Sequence, residues 1–310
     1  EFKEEYYSPI KMAIFKPTIF IEAGHHANEV SSTPAILELI KEIATSHQCL
    51  LQKVNIVVLP LANPDGAMLH KKMTEDNSEW KHHAARYNAV GLEYSHVRYR
   101  ETVFGEADAV PAIMKRWVPD VIIDDHGIPS HEWVQPFAGY NSPPRFTVSY
   151  WIPNALIYGI GRQLNPKQYP IHYRNLEKII KNVEEKITSS DEIRKQNEYW
   201  LERYKKYGHQ WLPNVFPLEQ TGSLIFYKWP TEISRESTIA ISRFPQWVSV
   251  DLITEVADET VYGETLERCK RAHKLFDIAV IETVSESKVS YQFCHSENYI
   301  EFKRQRPLIL

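Results

Sequence analysis

Two histidines and a carboxylate, His25, His26 and Glu29, fall within five residues directly after Gly24. His26 and Glu29 are three apart, so one tight turn of backbone can aim an imidazole and a carboxylate at a common point. Zinc takes such nitrogen and oxygen donors at about 2.0–2.2 Å, and a catalytic zinc needs three protein ligands plus an open position. This stretch offers two, so the third must come from elsewhere in the chain. A polar loop at a strand end is the plain alternative, because His-x-x-Glu is short enough to arise by chance.

The elements that would position these groups can be read on either side of them. Thr18 to Ala23 has the β-branched and aromatic content of a buried strand, and Gly24 permits a sharp turn after it. Thr33-Pro34 reads as an N-cap and first helical residue, followed by Ile36, Leu39, Ile40 and Ile43 at helical spacing. Val54 to Leu59 is a second buried strand, so the order strand, helix, strand predicts a βαβ unit with parallel strands. It runs into Asn63-Pro64-Asp65-Gly66, a turn signal. Pro119 to Asp125 and Val248 to Val256 are further strands, ending beside Asp124-Asp125-His126-Gly127 and Glu255. Polar clusters thus recur at strand ends, where open α/β sheets bind ligands. Between about 166 and 211 the chain turns charged and aromatic. Leu176, Ile179, Ile180, Val183 and Ile187 share one helical face, and Ser189-Ser190-Asp191 breaks the run. This predicts a helical hairpin inserted between sheet elements, a solvated cover rather than a carrier of chemistry.

Composition narrows the classes. The chain has 310 residues, 43% of them hydrophobic, and a net charge of −4, which gives no basic surface for nucleic acid. It has no apolar run near the roughly 18 residues that a membrane helix needs. Glu1, Lys3, Glu4 and Glu5 are unlike a secretory leader, although a core strand so early is compatible with a longer or processed N-terminus. Cys49, Cys269 and Cys294 are too scattered for a disulfide framework or a cysteine metal site. Reduced thiols in a cytoplasmic enzyme are the expectation.

Taken in order, Gly24-x-His26-x-x-Glu29, Asn63-Pro64-Asp65-Gly66, Asp124-x-His126 and Thr254-Glu255 resemble the motifs of the zinc carboxypeptidases typified by carboxypeptidase A. The resemblance runs from about Thr18 to about Ala279. It implies one catalytic domain over residues 1–310, an α/β fold with a mixed twisted sheet between helices, and one zinc. It implies His26, Glu29 and His126 as metal ligands, with His25 a neighbour and His131 passed over because it lies beyond Pro129. Asp124 takes the place of a carboxylate that holds an imidazole N–H. Glu255 is the implied general base, and Glu259 its competitor four residues on. The residue that faces the oxyanion falls to Lys81, where the family has arginine, or to nearby Arg86; the adjacent His82-His83 pair is left aside.

The departures bear on substrate. The family grips a terminal carboxylate with an asparagine–arginine pair, and here Ser95-His96 occupies that place after Gly91-Leu92-Glu93. Arg98 or Arg100 would then be the clamp, since a bidentate arginine suits a carboxylate. Asn28 stands where peptidases often have arginine. Gly222-Ser223-Leu224 looks like the family's glycine–serine segment and makes Tyr227 a candidate to close over substrate, with core packing as its alternative. The expected partner is a peptide or small amide substrate. The leading reading is a carboxypeptidase, followed by an amidase or deacylase of modified amino acids or cell-wall peptides, and then by a catalytically dead peptide-binding relative.

Overall fold

The computed structural model describes residues 8–79, 82–127, 157–207, 220–221 and 224–310. Continuous apolar runs form the centre of the sheet. Strands β1 (Thr18–Ala23), β2 (Asn55–Leu59), β3 (Val121–Gly127) and β7 (Val250–Val256) lie in the order β2-β1-β3-β7, with all three pairings parallel. Strands buried on both faces read this way because neither face needs polar side chains. The sheet continues through β4 (Ile157–Gln163), β6 (Leu224–Pro230) and the two-residue β5 (Gln220–Thr221). β4 runs antiparallel to β7 and parallel to β6, which makes the seven-stranded sheet mixed.

Helices cover both faces. On one side α2 (Ser32–Ser46), α5 (Pro170–Thr188) and α7 (Gly263–Ser285) contribute Ile36, Leu39, Leu176, Ile180, Phe276 and Val280 to a core with Ile21, Ile123 and Leu252 of the sheet. On the other, α4 (Gly105–Trp117) packs Val110 and Met114 against Phe20 and Ile122. Further helices include α1 (Pro9–Phe15), α3 (Pro64–Asp76) and α6 (Asp191–Tyr207). An antiparallel hairpin of β8 (Tyr291–His295) and β9 (Ile300–Arg304) stands apart from the main sheet. From its far end Arg304 and Arg306 donate to the buried Asp120 carboxylate at 2.9 and 3.1 Å, and Thr18 donates its N–H to the same group at 2.8 Å.

Several boundaries differ from the sequence reading for physical reasons. Asn63-Pro64 starts a helix rather than a turn. Asn63 accepts the Gly66 N–H at 2.9 Å and Pro64 takes the first helical position, where its missing N–H costs nothing. Thr33 is not the N-cap of α2, because its hydroxyl donates to Pro60 O at 2.7 Å and ties the helix start to the end of β2. The two helices of the 166–211 hairpin form as expected, broken at Ser189-Ser190, but α6 is more than a solvated cover. Its Leu201 is buried against Tyr158, Ile160 and Tyr227 on the sheet, and Asn197 bonds both the N–H and C=O of Ile157 at 3.1 Å.

Candidate active site

Strand ends bring the donors together. Gly24 takes φ +65°, which turns the chain sharply off β1, and Glu29 N–H closes on His26 O at 3.2 Å. This turn sets His26 Nδ1 2.7 Å from Glu29 Oε1. From the end of β3, His126 Nδ1 comes within 3.1 Å of His26 Nδ1 and 3.2 Å of Glu29 Oε2. Gly127 N–H donates to Glu29 Oε2 at 2.8 Å and fixes the carboxylate from the other side.

Each ring is held from behind. Asp124 and His126 alternate onto one face of β3, and Asp124 Oδ2 lies 3.0 Å from His126 Nε2. Glu93 Oε2 lies 2.9 Å from His26 Nε2. A carboxylate on Nε2 orients the ring so that Nδ1 faces inward, the usual arrangement around metal-ligating histidines. Arg86 adds a charge, donating to Glu29 Oε1 at 3.1 Å. Burial opposes the charge on Glu29, yet His26 and His126 hold its carboxyl well below the usual carboxylate range. Burial, with Arg86 second, lowers His26. For His126 burial works the same way but is overcome, and Asp124 and Glu29 hold the ring well above the ordinary histidine range.

Two imidazole nitrogens and a carboxylate lie within 4.8 Å of one another in the set His26, Glu29 and His126. This is the donor chemistry of a catalytic zinc, with the outer nitrogens already occupied by protein carboxylates, so these residues fit the ion. His25 forms equally close groups, one with Asp124 and His126 and one with His26 and Glu93.

The remaining sequence candidates are placed as follows. Glu255 on β7 is in register with His126 on β3, so both side chains project from the same face on adjacent strands. Glu255 is buried. Glu259 lies in the loop beyond β7: its Oε1 accepts from Asn28 Nδ2 at 3.0 Å, and its backbone pairs with Glu29. Lys81 lies outside the described residues, as do His131 and Gly222-Ser223, whereas Arg86 is beside Glu29. Ser95 donates to Glu93 Oε1 at 3.0 Å and His96 is exposed. Arg98 is buried and its guanidinium is paired with Glu22, so its charge is committed inside the protein. Arg100 is exposed. Tyr227 is buried in the cluster with Tyr158 and Leu201. Glu93 is the residue of this cluster that the sequence alone does not mark. Its signal is its place after Gly91-Leu92, but the altered Ser95-His96 pair beside it points to substrate rather than to a metal.

Behind the site, on the opposite face, lies a wholly buried polar group. Thr254 donates to Asp125 Oδ1 at 3.1 Å and meets His273 Nδ1 at 2.9 Å, while Asp277 on α7 faces Asp125. Burial pushes Asp125 up to about 8, and burial with Asp125 raises Asp277 well above its usual value. Carboxyls raised in the folded state bind protons that the unfolded chain releases near pH 4. Their contribution is therefore complete below about pH 4 and is lost as pH climbs to about 8. Burial lowers His273 to about 3, which costs stability in the other direction, as pH falls from about 6.5. Asp277→Asn, which mimics the protonated carboxyl, is expected to be more stable than wild type in urea at about pH 8.5, by a wider margin than at about pH 5.5. An equal margin at both pH values would show that the pair does not share its charge in this way.

Residues 10–101 match the family model for zinc carboxypeptidases, a stretch that contains His26, Glu29, Arg86 and Glu93. No curated protein sequence matches the chain. Among solved structures, a metallo-carboxypeptidase from Burkholderia cenocepacia is 14% identical with a TM-score of 0.53, over 87% of this chain and 58% of that one. A metallo-carboxypeptidase from Pseudomonas aeruginosa, solved with (2-guanidinoethylmercapto)succinic acid, is 17% identical with a TM-score of 0.50, over 87% and 57%. The chain spans less than two thirds of the length of either. The resemblance carried by the motifs is thereby borne out, and the α/β fold with its mostly parallel central sheet is that of the metallo-carboxypeptidases. Among the described residues, no helix is long and apolar enough to cross a membrane.

Proposed function

We propose that the chain is a zinc-dependent hydrolase that cleaves the C-terminal amide bond of a peptide. The observation that carries this reading is the convergence of His26, Glu29 and His126 with Glu255 in register beside His126. Zinc held by the three ligands would supply a Lewis acid that polarises a carbonyl and acidifies water. Glu255, buried on β7 in register with His126, accepts the proton of the attacking water and returns it to the leaving amine. Arg86, whose guanidinium already sits against Glu29, faces the carbonyl oxygen as negative charge develops on it; Lys81 is the other candidate for that role. Asp124 and Glu93 keep the ligand rings oriented through the cycle.

The substrate follows from the basic groups left over. With Arg98 committed to Glu22, the carboxylate clamp falls to Arg100, exposed at the end of the same loop, and Ser95, His96 and Tyr227 are the remaining substrate contacts proposed. The same commitment favours a second reading, an amidase or deacylase that needs no terminal carboxylate. Intact His26, Glu29, His126 and Glu255 argue against a catalytically dead binding relative. If the first reading holds, amidating the C-terminus of a cleaved peptide is expected to lower turnover roughly 10- to 150-fold, since a charge-assisted bond is worth about 1.5–3 kcal/mol. Equal cleavage of free and amidated peptides, followed by mass spectrometry, would select the amidase reading.

A further inference from the structure

We infer that His25 is a positioning residue for the metal centre, coupling the carboxylate behind His26 to the carboxylate behind His126. The inference rests on the zinc reading above and concerns a residue outside the ligand set. His25 is 4% exposed, and both of its ring nitrogens face carboxylates. Nε2 lies 3.1 Å from Glu93 Oε1, and the other oxygen of Glu93 holds His26 Nε2 at 2.9 Å. Nδ1 lies 3.3 Å from Glu22 Oε1 and 3.7 Å from Asp124 Oδ2, the same oxygen that holds His126 Nε2 at 3.0 Å. One imidazole therefore touches the supports of both ligand rings.

The ring itself is well fixed. It stacks on Tyr94 at 5.0 Å with 24° between the planes, and its centroid is 4.5 Å from His26 and 4.8 Å from His126. Tyr94 donates its hydroxyl to His25 O at 3.1 Å, and Arg98 Nη2 lies 3.4 Å from Nδ1 while paired with Glu22. Glu93 is the group with most to gain. Its side chain, at 16% exposed about as open as that of Asp124, is shared with Ser95 at 3.0 Å and the Arg86 guanidinium at 3.8 Å. Without His25 the Glu93 carboxylate can rotate towards water and release the His26 ring, which loosens one of three ligands. Outer-shell partners of this kind are typically worth 10- to 100-fold in metal affinity.

The experiment compares His25→Asn, His25→Phe and His25→Gln, each loaded with zinc, by the rate of zinc transfer to a chromogenic chelator and by zinc content. Circular dichroism and thermal melts of the zinc-free forms check folding. Asparagine reaches only the Nδ1 side and phenylalanine keeps the stack on Tyr94 without either polar contact, so both are expected to release zinc about 10- to 100-fold faster. Glutamine places a donor near the Nε2 position, restores the hold on Glu93 and is expected to release zinc within about threefold of wild type. If the asparagine variant does not fold, the contrast of phenylalanine with glutamine carries the test. Three variants all equal to wild type, or all impaired alike, overturn the inference while leaving the zinc reading intact. Two zinc ions in wild type and one in His25→Asn also overturn it, by making His25 a ligand. A wild-type chain that holds no zinc overturns the metal reading, and this inference with it.

Discussion

Glu255→Gln is expected to lower turnover by at least about 10²- to 10⁴-fold, the usual range for loss of a general acid–base group, while zinc content and melting temperature stay close to wild type. The amide is nearly isosteric and still fills the buried position on β7, but it cannot take the proton of the attacking water. Glu259→Gln is the control. Its carboxylate accepts from Asn28 in the loop beyond the strand, so the change is expected to alter stability more than turnover. Both variants are measured on one peptide with zinc assayed in each. An inactive Glu259→Gln beside an active Glu255→Gln would move the base by four residues, and two active variants would refute the mechanism.

His126→Ala is expected to lose both zinc and activity. The change leaves two protein donors, His26 and Glu29, where zinc takes three in a catalytic site, and two do not hold the ion against a chelator. It also strips Asp124 of the partner that does most to hold its carboxyl below the usual range against burial, leaving His25 at 3.7 Å as its neighbouring ring. Dialysis against chelator followed by metal analysis reads the first effect directly, with wild type retaining about one zinc per chain. Full zinc occupancy in the variant would mean that the third ligand lies elsewhere.

The sequence was most legible where burial is complete. β1, β3 and β7 are apolar on both faces, so their runs of Ile, Val and Leu stand out, and the histidines and glutamates that follow them mark strand ends. β4 is not legible because Gly159 and Gly161 interrupt its pattern. Both are glycine for a packing reason: a Cβ at either would press into the Phe226 ring or the Leu176 side chain, so the strand gave up its β signature to let neighbours close in. The long helix α7 was not recognised for a related reason, since buried His273, Asp277 and Thr283 break its apolar stripe. At the site, His26, Glu29 and Asp124 could be placed by spacing and resemblance alone. The burial of Arg98 could not be, because its partner Glu22 lies on a different element 76 residues earlier. No local pattern distinguishes an arginine that clamps a substrate from one that neutralises a buried glutamate.

The position of β7 has a consequence for how the chain assembles. It enters the sheet between β3 and β4, and its facing residues come 129 positions after their partners on β3. Until it arrives the sheet is two separate pieces, β2-β1-β3 and β4-β6-β5, each with an open inner edge. A chain emerging from the ribosome therefore completes the proposed ligands His26, Glu29 and His126 long before Glu255 exists, and long-range pairing of this kind closes late. On the function proposed above, the residues for metal capture would thus be made well before the residue for proton transfer.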